Sequence, residues 1–167
     1  METTNVFGRH ACLVCTAGKF SGFKGHVTNV LVFGSRTITD YAWVKKWLFK
    51  LYFLDRKDIV RVCGSPAIAI ISGKAPGPDQ LGERFANEYK IPVIPRPANW
   101  NPSGPGSYNP KAGFERNSTM VAECDEAVGF WDGVSRGTKD TIDKLVAARK
   151  NHVIVTKEGA MCVTFEK

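Results

Sequence analysis

The sequence predicts one three-layer α/β domain with a mostly parallel sheet and a short C-terminal edge hairpin. Two hydrophobic periods alternate along the chain: short continuous apolar runs such as Val30-Leu31-Val32-Phe33, and segments whose apolar residues return every three or four positions. The continuous runs are apolar on both faces, as strands buried between helical layers are. Glycine-bearing turns follow three of these runs and lead straight into helix-like segments, the rhythm of strand–turn–helix units.

Residues 1–26 lack a clear period and read as an irregular extension with room for one short strand, so the domain is expected to span residues 27–167. Val27 to Phe33 forms the first strand, which Gly34 ends. Asp40 caps the following helix, where Val44, Trp47, Leu48, Leu51 and Leu54 make one apolar stripe. Ala67 to Ile71 is the second strand. Asp79 is placed to cap a helix whose Leu81, Phe85 and Tyr89 share a face, and Ile91 to Ile94 begins a third strand. From Arg96 to Ala112 the chain carries Pro97, Pro102, Pro105 and Pro110 with Trp100 and Tyr108 among them, a length better explained by a lid than by a simple connection.

Phe114 to Cys124 reads as the third helix, with Asn117, Met120, Val121 and Cys124 on one side, leading into the strand Ala127 to Trp131. A fourth helix starts near Thr138 with Ile142, Leu145, Val146 and Arg149 as its markers. His152 to Thr156 is another strand, and Lys157-Glu158-Gly159 turns it into Met161 to Phe165, an antiparallel edge.

Composition narrows the function classes. With 43% apolar and 23% charged residues among 167, the chain fits a globular domain rather than a fibrous or disordered one. The formal net charge of +7 favours an anionic partner, leaving nucleotide, nucleic acid and acidic protein open. Every apolar run is broken within about ten residues, too short for a membrane span. The five cysteines are odd in number and no leader-like apolar run precedes them, which points to a reducing, cytoplasmic setting. His10, Cys12 and Cys15 have the spacing of half a zinc site but lack a second close pair, so neither a metal nor another cofactor is predicted.

The chemistry lies in the turns. Gly34-Ser35-Arg36, the segment from Ser72 to Asp79, and Asp132-Gly133-Val134-Ser135-Arg136-Gly137-Thr138 each join a strand to a helix. In a parallel sheet such turns emerge on one edge, where helix N-termini present free N–H groups and partial positive charge. Gly34, Gly73, Gly77, Gly133 and Gly137 allow close backbone approach to a phosphate. Ser35, Ser72, Ser135 and Thr138 add hydroxyl donors, and Arg36, Lys74 and Arg136 add full charges. Trp131 and Trp100 are candidates for stacking on a base, against the alternative of packing. Asp79 and Asp132 read equally as helix cap and turn residue, or as ligands to ribose hydroxyls.

These turns carry a resemblance. Gly34-Ser35-Arg36, the S-G-x-A-x-G-x-D pattern from Ser72 to Asp79, Arg116-Asn117 opening a helix, and Phe130-Trp131-Asp132-Gly133 with Ser135-Arg136-Gly137-Thr138 resemble the SLOG superfamily, nearest its small YspA-like branch. That superfamily includes the DNA-processing protein Smf/DprA and the Lonely-guy phosphoribohydrolases. The resemblance covers about Val27 to Val155 and implies a Rossmann-like fold that binds nucleotide-derived molecules at the C-terminal edge of its sheet, with homo-oligomers common. Arg116 and Asn117 enter the predicted site on this ground. The Lonely-guy enzymes resemble the chain in an arginine on the third helix and a P-G-G-x-G-T-x-x-E motif whose glutamate assists N-glycosidic cleavage. Here that position holds Thr141, and Asp140 stands one residue, about 100°, around the helix.

Three functions follow as expectations. The first is binding of a phosphorylated nucleotide-derived small molecule, ADP-ribose-like or a cyclic nucleotide, as sensor or sequestering protein. The second is N-glycosidic cleavage of a nucleoside 5′-monophosphate, with Arg116 and either Asp79 or Asp140 as the catalytic groups. The third is single-stranded DNA binding in the manner of Smf/DprA, with the net charge of +7 supplying affinity.

Overall fold

A computed structural model of the chain describes residues 2–4, 10–12, 27–56, 59, 61–62 and 65–166. Near the N-terminus, β1 (Glu2–Thr4) and β2 (His10–Cys12) pair antiparallel, with Thr3 opposite Ala11. Of residues 1–26, where one short strand is expected, these two strands are the described part, and the remainder of the expected extension lies outside the described residues. Cys15, the third member of the zinc-like spacing, lies outside the described residues.

Six strands build the main sheet. Its order is β10-β9-β8-β3-β6-β7, where β3 is Thr28–Gly34, β6 Ile68–Ser72, β7 Val93–Pro95, β8 Glu126–Phe130, β9 Asn151–Thr156 and β10 Gly159–Val163. β3, β6, β7, β8 and β9 run parallel, and only β10 returns antiparallel, through the turn after Thr156. A further short pair, β4 (Arg61–Val62) and β5 (Ser65–Pro66), lies ahead of β6. Among the described residues the α-helices are α1 (Tyr41–Phe49), α2 (Pro78–Glu88), α3 (Ala112–Glu123) and α4 (Arg136–Ala147). This is a Rossmann-like α/β fold.

Alternation along β3 explains the three layers. Val30 and Val32 face a core shared with Val44 and Leu48 of α1 and Phe85 of α2. Leu31 and Phe33 face the opposite core with Met120 and Val121 of α3 and Leu145 of α4. All four strand residues are at most 3% exposed, so their apolar character on both faces is the direct record of burial between two helical layers. Among the described residues no helix is long and apolar enough to cross a membrane.

Three expected positions move. Leu54 is 61% exposed instead of completing the first helix's stripe. The chain continues α1 as a π-helical segment, Lys50–Asp55, whose wider turn shifts the register so that Tyr52 enters the core. Val146 is also exposed, because Leu145 alone at that level of α4 points at the sheet. Asp79 does not cap α2. Pro78 occupies the first helical position, which makes Gly77 the cap residue, in a left-handed conformation with φ 93°.

The strand order fixes where a ligand fits. From β3 the chain moves to β6 and β7 on one side with α1 and α2 on one face, then crosses to β8 and β9 with α3 and α4 on the other. The order reverses between β3 and β8, and in open parallel sheets the crevice outside the strand ends at such a reversal is the ligand site.

Candidate ligand-binding site

Outside the carboxyl ends of β3 and β8 the loops enclose a cavity of about 520 Å³. The three predicted turns meet there. Ser35, fully buried, accepts a hydrogen bond at Oγ from the backbone N–H of Asp132 (3.1 Å) and lies 3.3 Å from Thr138 Oγ1. Gly77 packs beneath it so tightly that a Cβ would stand 2.9 Å from the Ser35 carbonyl oxygen. Arg116 Nη1 donates to the carbonyl of Gly73, and Asn117 Nδ2 reaches the carbonyl of Gly137 at 3.4 Å, so α3 ties the second turn to the third.

Within the cavity wall the cationic groups are Arg36 and Arg116. Among the described residues no carboxylate forms an ion pair with Arg36, which is exposed. The two guanidiniums are close enough to repel. Arg116 is pushed below the ordinary arginine value by burial first and by Arg36 as well, while Asp79 opposes the shift. Gly137 and Thr138 add the N-terminal turn of α4 to the same wall, with Ser135 as its cap; Ser135 Oγ accepts from the N–H of Thr138 at 3.4 Å.

Two carboxylates also line the cavity. Asp79 is 4% exposed and turns back from α2 to accept the N–H of Ala75 at 3.4 Å. Burial pushes its carboxyl up to about 6, against the pull of the Arg116 guanidinium and the loop N–H groups. Asp132 is the opposite case. Its Oδ1 accepts from the N–H groups of Ser135 (2.8 Å) and Val134 (2.9 Å), and its Oδ2 accepts from Thr37 Oγ1 (2.9 Å), which together hold it down at about 2. The side chain is thus a loop staple as well as part of the wall, and Thr37 is a partner that sequence reasoning missed.

Several expected site residues point elsewhere. Lys74 adopts a left-handed backbone with φ 61° that carries its Nζ to Glu83 (3.0 Å), away from the cavity. Ser72 is fully buried behind the wall; its Oγ accepts from the N–H of Lys74 at 3.1 Å. Trp131 sits at the end of β8 on the face opposite Phe130, donates from Nε1 to the carbonyl of Ser135 (3.3 Å), and does not reach the cavity. Gly133 and Arg136 border a separate shallow depression with Lys139 and Asp143. Asp140 is held on α4 by Lys144 Nζ (2.6 Å) and Asn117 Nδ2 (3.1 Å), again outside the cavity, whereas Thr141 lines it.

The expected lid contributes Trp100 and Pro110 to the cavity, and the start of α3 contributes Gly113 and Phe114. Phe114 was legible only as a helix start, since α3 begins two residues earlier than its apolar pattern, at Ala112. Among the described residues no group of three His, Cys, Asp or Glu side chains is placed to hold a metal ion. The chain matches no protein-family model and no curated protein, so the functional reading stands on the geometry of this site and on the motifs that shape it.

Proposed function

We propose that the chain binds a phosphorylated, nucleotide-derived small molecule in the cavity at the β3/β8 reversal, as a sensor or sequestering protein. One observation carries this reading: two guanidiniums, Arg36 and Arg116, and the first turn of α4 converge on one cavity wall whose two carboxyls are already turned to loop N–H groups, Asp79 to that of Ala75 and Asp132 to those of Val134 and Ser135. Such a wall favours a phosphate over a neutral ligand. The resemblance to the SLOG superfamily supports the nucleotide class, and ADP-ribose-like molecules and cyclic nucleotides are the expected ligands.

The test is calorimetric titration with ADP-ribose, cyclic and linear nucleotides. Binding in the micromolar range is expected, with a loss of at least about tenfold in Arg36→Ala and in Arg116→Ala, the scale of one charge-assisted contact. Unchanged affinity in both variants defeats the proposal.

A second reading, N-glycosidic cleavage, has Asp79 in its favour, because a carboxyl near 6 inside a cavity suits proton transfer near neutral pH. Against it stand Thr141 at the position of the Lonely-guy glutamate and Asp140 bound to Lys144 outside the cavity. Chromatography for free base after incubation with nucleoside 5′-monophosphates separates the two: turnover lost in Asp79→Asn establishes cleavage, and intact nucleotide leaves binding.

A further inference from the structure

We propose that the cavity mouth is a stacking collar that recognises a flat nucleobase without reading which base it is. Trp100 and Phe114 are its walls, while Arg36 and Arg116 hold the phosphate below. The proposal rests on the binding function above and names the part of the ligand that determines specificity.

Large apolar side chains around the mouth are left in water. Trp100 is 38% exposed, Phe114 46% and Val134 79%, although all three line the same cavity as the arginines. Apolar surface gathered around a cavity that also holds charged groups is the pattern of a site that a ligand covers. The two aromatic walls are also fixed in place. Tyr108 stacks on Trp100 with ring centroids 6.0 Å apart and planes 12° from parallel, and the Trp100 carbonyl accepts the N–H of Asn109 at 2.7 Å. Trp100 in turn lies over Gly113, where a Cβ would stand 3.3 Å from its ring edge. Phe114 is held by Lys144, whose Nζ donates to the Phe114 carbonyl at 2.8 Å and lies 5.7 Å from the ring centroid. A rigid aromatic ring loses little freedom when a base stacks on it.

The register along α3 gives the ligand its direction. Gly113 and Phe114 stand one turn before Arg116 and Asn117, about 5 Å along the helix axis, a separation on the scale of the sugar that joins a base to its phosphate. Base at the mouth and phosphate at the floor is the arrangement that satisfies both ends.

Indifference to the base follows from how the polar lining is occupied. Reading a base edge needs donors and acceptors that are not already engaged. The lining amide, Asn117, accepts from Arg116 Nε at 3.2 Å and donates to Asp140 and Gly137. Asp132 has both oxygens engaged by Val134, Ser135 and Thr37. Trp100, Phe114 and Val134 offer the cavity exposed ring and methyl surface, and every base has a face to stack on it.

The experiment titrates the protein with AMP, GMP, CMP, UMP and ribose 5-phosphate, followed by calorimetry. The four nucleotides are expected to bind within about fivefold of one another and at least about tenfold more tightly than ribose 5-phosphate, the scale of one base–aromatic stack. Trp100→Ala is expected to bring the nucleotides down to the ribose 5-phosphate level while leaving ribose 5-phosphate itself unchanged, which also shows an intact floor. Trp100→Phe retains most of the nucleotide affinity. A preference above about tenfold for one base overturns the indifference. Nucleotides that bind no better than ribose 5-phosphate, or that ignore Trp100→Ala, overturn the collar and leave the binding function standing. Failure of all five compounds to bind overturns the collar, while the titrations with ADP-ribose and cyclic nucleotides decide the binding function separately.

Discussion

At the residue scale the most consequential group is Asp79, because its carboxyl is both buried and part of the cavity. Burial raises it from 3.8 to about 6 even with Arg116 beside it. A carboxyl raised in the fold binds its proton more tightly folded than unfolded. Its contribution is therefore fully present below about pH 4 and is lost as pH climbs through about 6. Two units correspond to roughly 3 kcal/mol. An asparagine imitates the protonated form at every pH. Asp79→Asn is therefore expected to gain on the native protein by on the order of 2–3 kcal/mol between pH 4 and pH 7.5, read from urea denaturation at several pH values. A difference that does not change with pH removes the raised carboxyl from the account. Asp132 has the opposite sign: held at about 2 by the N–H groups of Ser135 and Val134, it supports the loop above its ordinary value of 3.8 and withdraws that support as pH falls through about 2.

At the element scale the fold depends on how closely the turns after β3 and β8 approach each other. Gly34 ends β3 against β8, and a Cβ there would overlap the Phe130 carbonyl oxygen and stand 2.6 Å from the Pro78 ring. Neither neighbour yields easily, one being strand backbone and the other a fixed ring. Gly34→Ala is expected to cost about 3 kcal/mol or more, whereas Gly137→Ala, with nothing within 4 Å, should change stability by less than about 1 kcal/mol. Thermal melting of both variants checks the contrast, and equal losses would mean that the tight approach is not what Gly34 secures. The same elements show what the amino-acid order makes legible. β3 could be read because burial on both faces leaves a continuous apolar run, and α1 because Asp40 accepts the N–H of Trp43 at its start. The slip at Leu54 could not, since a π-helical turn leaves no residue signature in an apolar stripe. The cavity was legible as three glycine turns, yet side-chain direction was not: Lys74 and Asp140 found Glu83 and Lys144 by tertiary placement that spacing does not encode.

At the scale of the whole molecule the question is what the formal charge of +7 is for. An extended phosphate track needs a row of cations free to meet it. Among the described residues many are already committed: Lys45 to Glu88, Lys50 to Asp55, Arg56 to Glu126, Lys74 to Glu83, Arg96 to Glu123 and Lys144 to Asp140. The guanidiniums gathered in one concavity are Arg36 and Arg116, which suits one or two phosphates better than a strand of many. Ionic strength separates the two cases, because each phosphate neutralised on a single strand adds about 0.7 to the slope of log affinity against log salt. A nucleotide with one or two phosphates seated in the cavity is expected to show a slope no steeper than about −0.7 to −1.4 from 50 to 300 mM salt. Over the same range an oligothymidylate should bind weakly, and Arg36→Ala should flatten the nucleotide slope by about 0.7. A steep oligonucleotide slope near −5, unaffected by Arg36→Ala, would instead place the anion contacts outside the cavity and make single-stranded DNA the partner.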